Sequence, residues 1–375
     1  MNFKLHLETP LEDGPRVRAT RELFDLPLSE KLERDWDVQL PLEERDWIVG
    51  LIVGPSGSGK SKIARALWPD NFAENYVWSP TRAVVEDFPA DLSADDVTYL
   101  LSNVGFSSPP QWLAPFHTLS NGEQFRATLA RALVDDRDPI VIDEFTSVVD
   151  RTVAQVGSAA FARAARRIDK RRVVLLSCHY DVIDWLQPDW CYYPDAQQFE
   201  WRSLQRRPDV QLEVRRCSHA VWDVFRQHHY LTAKLPGTAH CFVGTVNERL
   251  ACFVATCPWP ISKYPFELIR HVSRVVTLPD FQGIGLGKKM TEFVASLWKT
   301  RNWRVTLVTS HPSMRATLSA SPSWSTNRKY GNNTQMSATS TTGRCWSVSR
   351  RTQTFEYVGP RDDIDTARAF EVPPN

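Results

Sequence analysis

The chain has 375 residues, of which 42% are hydrophobic and 24% charged. That length suits about two to three domains, each large enough to bury a core, and the composition is that of a globular protein. A formal net charge of +1 hides a split: residues 1–200 hold 21 basic against 32 acidic residues (−11), and residues 201–375 hold 24 against 12 (+12). Such asymmetry predicts two domains with different partners, the second suited to a polyanion. No apolar run reaches the roughly 18 residues of a membrane span. Met1 to Thr20 contains Glu8, Glu12 and Asp13, so no signal peptide is expected and a cytoplasmic protein is. Seven cysteines without a C-x-x-C pair predict reduced thiols, not zinc or disulfides.

In chain order, Met1 to Leu28 reads as an alternating strand with turns around Glu12-Asp13-Gly14-Pro15, and Trp36 to Leu42 as a second extended piece. The apolar run Trp47 to Val53 predicts a buried strand, and Lys62 to Trp68 predicts the opening of a helix. Between them lies Gly54-Pro55-Ser56-Gly57-Ser58-Gly59-Lys60-Ser61-Lys62. Glycines let successive N–H groups turn inward at phosphate oxygens, and the helix N-terminus adds positive potential. Lys60 then reaches the β- and γ-phosphates, and the Ser61 hydroxyl suits Mg²⁺. Asp70 to Pro115 reads as acidic helical segments and Pro-rich turns. Ser120 and Glu123 form a capping box, and Phe125, Leu129, Ala132 and Leu133 continue at helical spacing. Gly122 leaves the backbone bare in the first turn, where the helix dipole attracts anions.

Leu119-Ser120-Asn121-Gly122-Glu123-Gln124 closely resembles the signature motif of ABC ATPases, and further motifs follow in the order of that family. Pro139-Ile140-Val141-Ile142-Asp143-Glu144 resembles a Walker B strand, Ser147-Val148-Val149-Asp150 a D-loop, and His179 after Val173–Ser177 a switch histidine. The resemblance covers residues 1–200 and implies ATP and Mg²⁺ as cofactors. Asp143 would hold the metal through water, Glu144 would orient or deprotonate the attacking water, and His179 would sense the γ-phosphate. It also implies a head-to-tail homodimer, with each nucleotide between the Lys60 loop of one subunit and Ser120, Asn121, Gly122 and Glu123 of the other. One feature departs from the family: the place after an expected strand near Tyr76–Trp78 carries Glu86 and Asp87 and no Q-loop glutamine. Without membrane spans, a transport role requires a separate permease. ABC ATPases that act on nucleic acids or ribosomes fit the chain as well.

Gln197 to Gln211, with Arg202, Arg206, Arg207 and Pro208, reads as a basic linker, so the domains expected are 1–205 and 206–375. Val210 to Arg216 reads as a strand. Ala220 to Tyr230 has helical spacing and ends in His228-His229-Tyr230. Cys241–Val246 and Leu250–Thr256 predict a hairpin around Asn247-Glu248. A strand ending at Leu278 leads to Gln282-Gly283-Ile284-Gly285-Leu286-Gly287-Lys288 and then to a helix with Met290, Phe293, Val294, Leu297 and Trp298 on one face. Its N–H groups suit a pyrophosphate. A dinucleotide-binding reading wants an acidic residue after the next strand, where Val305–Thr309 leads instead to Ser310-His311.

Gln282-x-x-Gly285-x-Gly287 resembles the acyl-CoA loop of GNAT acyltransferases over residues 210–320. The resemblance implies acyl-CoA, with acetyl-CoA the expected donor. Its pyrophosphate would lie on residues 283–288 and its pantetheine along Val276–Leu278, with Val276 and Leu278 in contact. The half is similar to Mom-type DNA-modifying enzymes, which implies functional roles for His229, Tyr230 and the Ser310-His311-Pro312 segment. The fold class expected is α/β: an ABC-type P-loop ATPase domain followed by a GNAT-like mixed α/β domain that acylates an amine, with a DNA or RNA base a candidate acceptor. Two alternatives stand beside it, a non-catalytic nucleic-acid-binding second half and the ATP-binding subunit of a transporter. Ser319 to Thr342 reads as a long loop, Thr354–Val358 as a closing strand, and Arg361 to Asn375 as a loose tail.

Overall fold

The computed structural model describes residues 1–10, 13–25, 31–73, 76–168, 171–229, 234–258, 268–326 and 352–372. The chain folds into two units. The first comprises Met1–Tyr76, Asp135–Val148 and Ala165–Arg206; the second comprises Val77–Val134, Val149–Ala164 and Arg207–Asn375. Among the described residues, no helix is long and apolar enough to cross a membrane.

In the first unit, β1 (Asn2–Pro10) pairs antiparallel with β2 (Lys31–Gln39). Phe3, Leu5 and Leu7 alternate on the inner side of β1 and pack against the core that holds Trp36 and Val38. The extended chain expected on to Leu28 gives way after Gly14 to a helix, Pro15–Phe24, with Pro15 at its first position. The main sheet combines β3 (Val49–Val53), β4 (Ile140–Ile142), β5 (Val173–Ser177), β6 (Trp190–Tyr193) and β7 (Gln198–Trp201) in the order β4-β5-β3-β6-β7. Every residue of β3, β4 and β5 is buried, which is why these strands read as continuous Val, Ile and Leu runs, as parallel strands covered on both faces do. Tyr76–Trp78 forms no strand; Phe72 instead makes a single bridge to Val141. The linker expected from Gln197 is also corrected at its start. Trp190 faces Trp201 and Tyr192 faces Phe199, aromatic cross-strand pairs that hold β7 against β6.

The second unit contains β8 (Glu213–Cys217), β9 (His240–Val246), β10 (Arg249–Pro258), β11 (Ile269–Thr277), β12 (Arg304–Thr309), β13 (Trp324–Thr326) and β14 (Gln353–Tyr357). Their order is β13-β14-β12-β11-β10-β9-β8. Asn247 and Glu248 both take positive φ, 48° and 63°, which closes the expected hairpin with the twist that a two-residue loop favours. The pair β11–β12 is parallel, from Ile269↔Arg304 to Val272↔Leu307. Beyond it β11 continues to Thr277 and β12 to Thr309 without further pairing to each other, so the two strands part at their C-terminal ends. The helix Leu286–Thr300 packs on this sheet through Met290, Val294, Leu297 and Trp298. Truncating a buried Trp298 costs about 3–5 kcal/mol.

The other core of this unit joins Trp222, Phe225, Phe253 and Val276. The single helix expected over 220–230 is three short turns, His219–Val221, Trp222–Phe225 and Arg226–His228; Val, Trp, Phe and His are weak helix formers. The described part of the expected tail, residues 361–372, is not loose. Asp363 caps a helix, Ile364–Ala369, with Ala367 and Val372 buried and Phe370 edge-on to Phe293. Tyr230 and most of the expected 319–342 loop lie outside the described residues. The second unit also holds the helices Ala94–Asn103, Pro109–Trp112 and Asn121–Ala132 and most of Arg151–Arg167.

Candidate functional site

The first unit gathers its chemistry at the C-terminal ends of β3 and β4, where ligands of open α/β sheets bind. A cleft of about 350 Å³ is lined by Ser56, Gly57, Gly59, Lys60, Ser61 and Lys62 on one side and by Asp143, Glu144 and Ser147 on the other. Gly57 and Gly59 have φ of 77° and 99°. A side chain at Gly59 would also meet the Trp36 indole at 2.4 Å. Lys60 Nζ donates to the carbonyls of Gly54 and Pro55, both at 2.9 Å, which holds the ammonium over the loop with one of its three donors left for a ligand. Trp36 Nε1 donates to the Ser58 carbonyl at 3.0 Å, and Arg34 Nη1 donates to that of Gly57. Two residues of β2 thus brace the loop from outside it. Both lie more than 20 residues upstream and belong to no motif, so no local sequence signal marks them.

At the end of β4 the Asp143 carboxylate accepts the Glu144 N–H at 2.9 Å. Glu144 itself takes φ of 51° and is exposed, with Phe145 buried beneath it. A non-glycine residue in the left-handed region is strained, and such strain clusters at functional sites. Thr146, also at positive φ (71°), lies 3.2 Å from His179 Nδ1 through its Oγ1, while the His179 N–H donates to Ser177 Oγ at 3.1 Å. Thr146 therefore orients the ring of His179. His179 is not among the cleft-lining residues, which on that strand end are Leu176 and Cys178. The cleft sets a cation, oxygen donors and two carboxylates around one space. Ser61 and Asp143 offer hard oxygen ligands that fit Mg²⁺.

The second unit holds the remaining predicted residues. Ser120 N and Oγ donate to Glu123 Oε2 at 3.0 and 2.9 Å, and Glu123 N donates back to Ser120 Oγ at 3.4 Å. The Glu123 carboxylate is thus spent on the cap, while Asn121 and Gly122 present the first turn of the helix. Behind that turn Arg126 is 1% exposed. Burial lowers its pKa to about 10, opposed by the charges of Asp280, Glu123 and Asp150, so it stays protonated at neutral pH. In the stretch from Trp78 to Asp87, Trp78 stacks on Phe116 at 4.2 Å with Arg131 over its ring, and buried Asp87 accepts from Arg82 and Ser79 N.

The glycine loop after β11 splits into two parts. Its first part is engaged: Gln282 is buried, its Oε1 accepts the Ser107 N–H at 2.7 Å, and its Nε2 donates to Ser108 Oγ at 3.3 Å and to the Thr277 carbonyl at 2.8 Å. The second part is open. Gly285, at φ of 86°, is exposed and starts the helix whose first residues are Leu286, Gly287 and Lys288. Lys288 pairs with Glu292 at 3.6 Å. A side chain on Gly287 would stand 2.8 Å from Thr277 Oγ1, so only glycine lets the helix start this close to β11. Val276 is buried and Leu278 packs beside it in the same small core as Trp222. His229 meets Trp222 edge-on at 5.7 Å, which brings it to that core; its neighbour Tyr230 lies outside the described residues. His311 packs on Trp112 at 5.7 Å, and burial lowers its pKa to about 4, so it is a neutral imidazole.

No protein-family profile matches the chain. The chain is similar to the ribosome protection protein VmlR of Bacillus subtilis (strain 168), 27% identical over 118 residues, 26% of this chain and 21% of that protein. It is also similar to Protein STAR1 of Oryza sativa subsp. japonica, 28% identical over 193 residues, 40% of this chain and 52% of that one. The chain therefore spans about a fifth and about half of the length of these curated relatives. Among solved structures it is similar to the dimeric bacterial ABC transporter cassette MJ0796, with a TM-score of 0.36 and 15% identity over 46% of this chain and 92% of that one. A dimer of the same cassette in a post-hydrolysis state with ADP and Pi gives a TM-score of 0.34 and 14% identity over 47% and 93%.

Proposed function

We propose that the chain is an ABC-type ATPase that binds and hydrolyses Mg-ATP in a head-to-tail dimer, and that residues 206–375 form a GNAT-like domain that transfers an acyl group from acyl-CoA to an amine. The observation that carries the first part is the convergence of Lys60, Ser61, Asp143 and strained Glu144 on one cleft. Lys60 and the loop N–H groups bind the β- and γ-phosphates, and Glu144 accepts a proton from the water that attacks the γ-phosphorus. Mg²⁺, when bound, neutralises phosphate charge, and Ser61 and Asp143 are the residues that would hold it. Ser120–Gly122 serves the nucleotide of the second subunit. His179, oriented by Thr146, reports the γ-phosphate.

The acyltransferase reading is supported by a parallel strand pair that parts beside a glycine loop and an open helix N-terminus. A pyrophosphate fits residues 283–288, and a thin pantetheine arm fits the freed edge of β11 near Val276 and Leu278. The amine nitrogen would attack the thioester carbonyl, the C–S bond would break, and the thiolate would leave and take up a proton. His229 with Tyr230 is the pair proposed to accept the amine proton; buried His311 is a weak base and shapes the site. The +12 charge of residues 201–375 favours a nucleic-acid acceptor.

A second reading, in which the basic half binds RNA or DNA without catalysis, rests on the same +12 charge. Incubation of the full chain with acetyl-CoA and DNA or RNA, followed by nucleoside mass spectrometry and a free-thiol assay, separates the two. Acylated nucleoside with matching CoA release supports transfer. Salt-sensitive RNA binding with no CoA release supports the second reading.

A further inference from the structure

The second unit contains both the helix that starts at Ser120 and the glycine loop after β11, and it joins them through an unusually close seam. On one side, the helix Ala94–Asn103 ends at Gly105, whose φ is 88°. A Cβ there would meet the Gln282 carbonyl oxygen at 2.7 Å, and one on Gly283 would meet Gly105 Cα and Ala160 Cβ, both at 2.8 Å. Two glycines thus touch backbone to backbone. Around them, Gln282 bonds Ser107 and Ser108, and Arg163 Nη2 donates to the Gly283 carbonyl. Pro279–Phe281 lies directly against the Asn121–Ala132 helix. Arg249 donates Nη1 to Thr152 Oγ1 and Nη2 to Asp280 Oδ2, both at 2.9 Å, which ties the residue two beyond Asp150 to the start of the loop. Trp112 covers His311 at the end of β12.

We infer that this seam couples the two loops: the Gly105–Ser108 turn and the Arg163 and Arg249 side chains make the Ser120–Gly122 helix start and the 283–288 loop move as one body. Nucleotide engagement at the first then changes the affinity of the second for a CoA-type pyrophosphate. The inference rests on the acyl-CoA reading above. Its physical basis is the lack of slack. A ligand that seats on residues 283–288 would press on Gln282 and Gly283, which have Gly105, Ala160 and two serines within contact on the far side. Packed seams of this kind switch between discrete arrangements and do not bend smoothly. Arg163 and Arg249 are positioning residues here; neither belongs to the loop or to the ATP cleft.

Coupling between sites is reciprocal, which makes it testable from both ends. Coenzyme A is titrated into the full chain with and without saturating Mg-adenylyl imidodiphosphate, and the nucleotide analogue is titrated with and without coenzyme A. The wild type is expected to show a shift of about five-fold or more, of equal size in both titrations. An Arg163→Gln, Arg249→Ala double variant should bind both ligands and lose the shift; Ser108→Ala, a smaller change, should reduce it. Binding of both ligands with no mutual effect in the wild type overturns this inference alone. A double variant that keeps the full shift also overturns it. No binding of coenzyme A at any concentration overturns the acyl-CoA reading together with this inference.

Discussion

The chain builds the same local device twice and surrounds it differently. Gly54–Ser61 after β3 and Gln282–Lys288 after β11 are both glycine loops at a strand's C-terminal end, each with positive-φ glycines and a helix that follows at once. In the first unit the loop faces a cleft with two carboxylates and a lysine held over it by loop carbonyls. In the second the entry to the loop is clasped by Ser107, Ser108 and Arg163, and only its exit is open beside a parted strand pair. A helix N-terminus with bare backbone specifies an anion. The neighbours differ: carboxylates face the first loop, and a parted strand pair lies beside the second, which is what the proposed ATP and acyl-CoA readings rest on.

The largest expected break in this comparison is at Glu144. Glu144→Gln should lower ATP turnover at least about 100-fold while nucleotide still binds, since a missing general base costs that much. With hydrolysis blocked, the same protein should form the dimer on addition of Mg-ATP, seen as a doubling of mass by light scattering. Next comes the second loop. Gly287→Val drives a side chain against Thr277 Oγ1, so coenzyme A affinity measured by calorimetry should fall at least about ten-fold, with nucleotide still bound in the first unit. A smaller effect is expected at Trp36→Phe, which keeps the packing and removes the hydrogen bond to Ser58. About 1 kcal/mol of loop support should be lost, seen as a few-fold weaker ATP binding.

A stability effect sharpens the contrast through pH. Burial lowers the pKa values of His271 and His311, both in the second unit, to about 4, with Arg274 adding to the shift at His271. The unfolded chain takes up these protons as pH falls below about 6.5 and the folded chain does not. Stability is therefore complete above pH 6.5 and is lost as pH falls from there toward 4. Denaturant midpoints should drop between pH 7 and pH 5, and His311→Gln should flatten the slope. An equal drop in the variant would assign it to other groups.

The strands and loops of the two candidate sites were legible because their signals are local. A buried Val-Ile-Leu run that ends in glycines, a Ser-x-x-Glu box, and a hairpin at Asn247-Glu248 each depend on a few adjacent residues. What escaped the sequence depends on distant partners. Trp36 and Arg34 brace the first loop from β2, and Thr146 turns His179 through a contact 33 residues away in sequence. Gln282 matched a ligand-binding pattern, yet its amide is taken by Ser107 and Ser108, more than 170 residues upstream. The terminal helix Ile364–Ala369 was missed because its short apolar face reads as a helix only once Phe293 is there to meet Phe370.

The most direct test of two loops with two different phosphate ligands is calorimetry of the full chain with Mg-ATP and with acetyl-CoA. Wild type, Lys60→Ala and Gly287→Val are compared. The expected result is two separable binding events, with ATP lost in Lys60→Ala only and acetyl-CoA lost in Gly287→Val only. If acetyl-CoA binds nowhere, or competes with ATP for the Lys60 cleft, the second loop has no ligand of its own and the account fails.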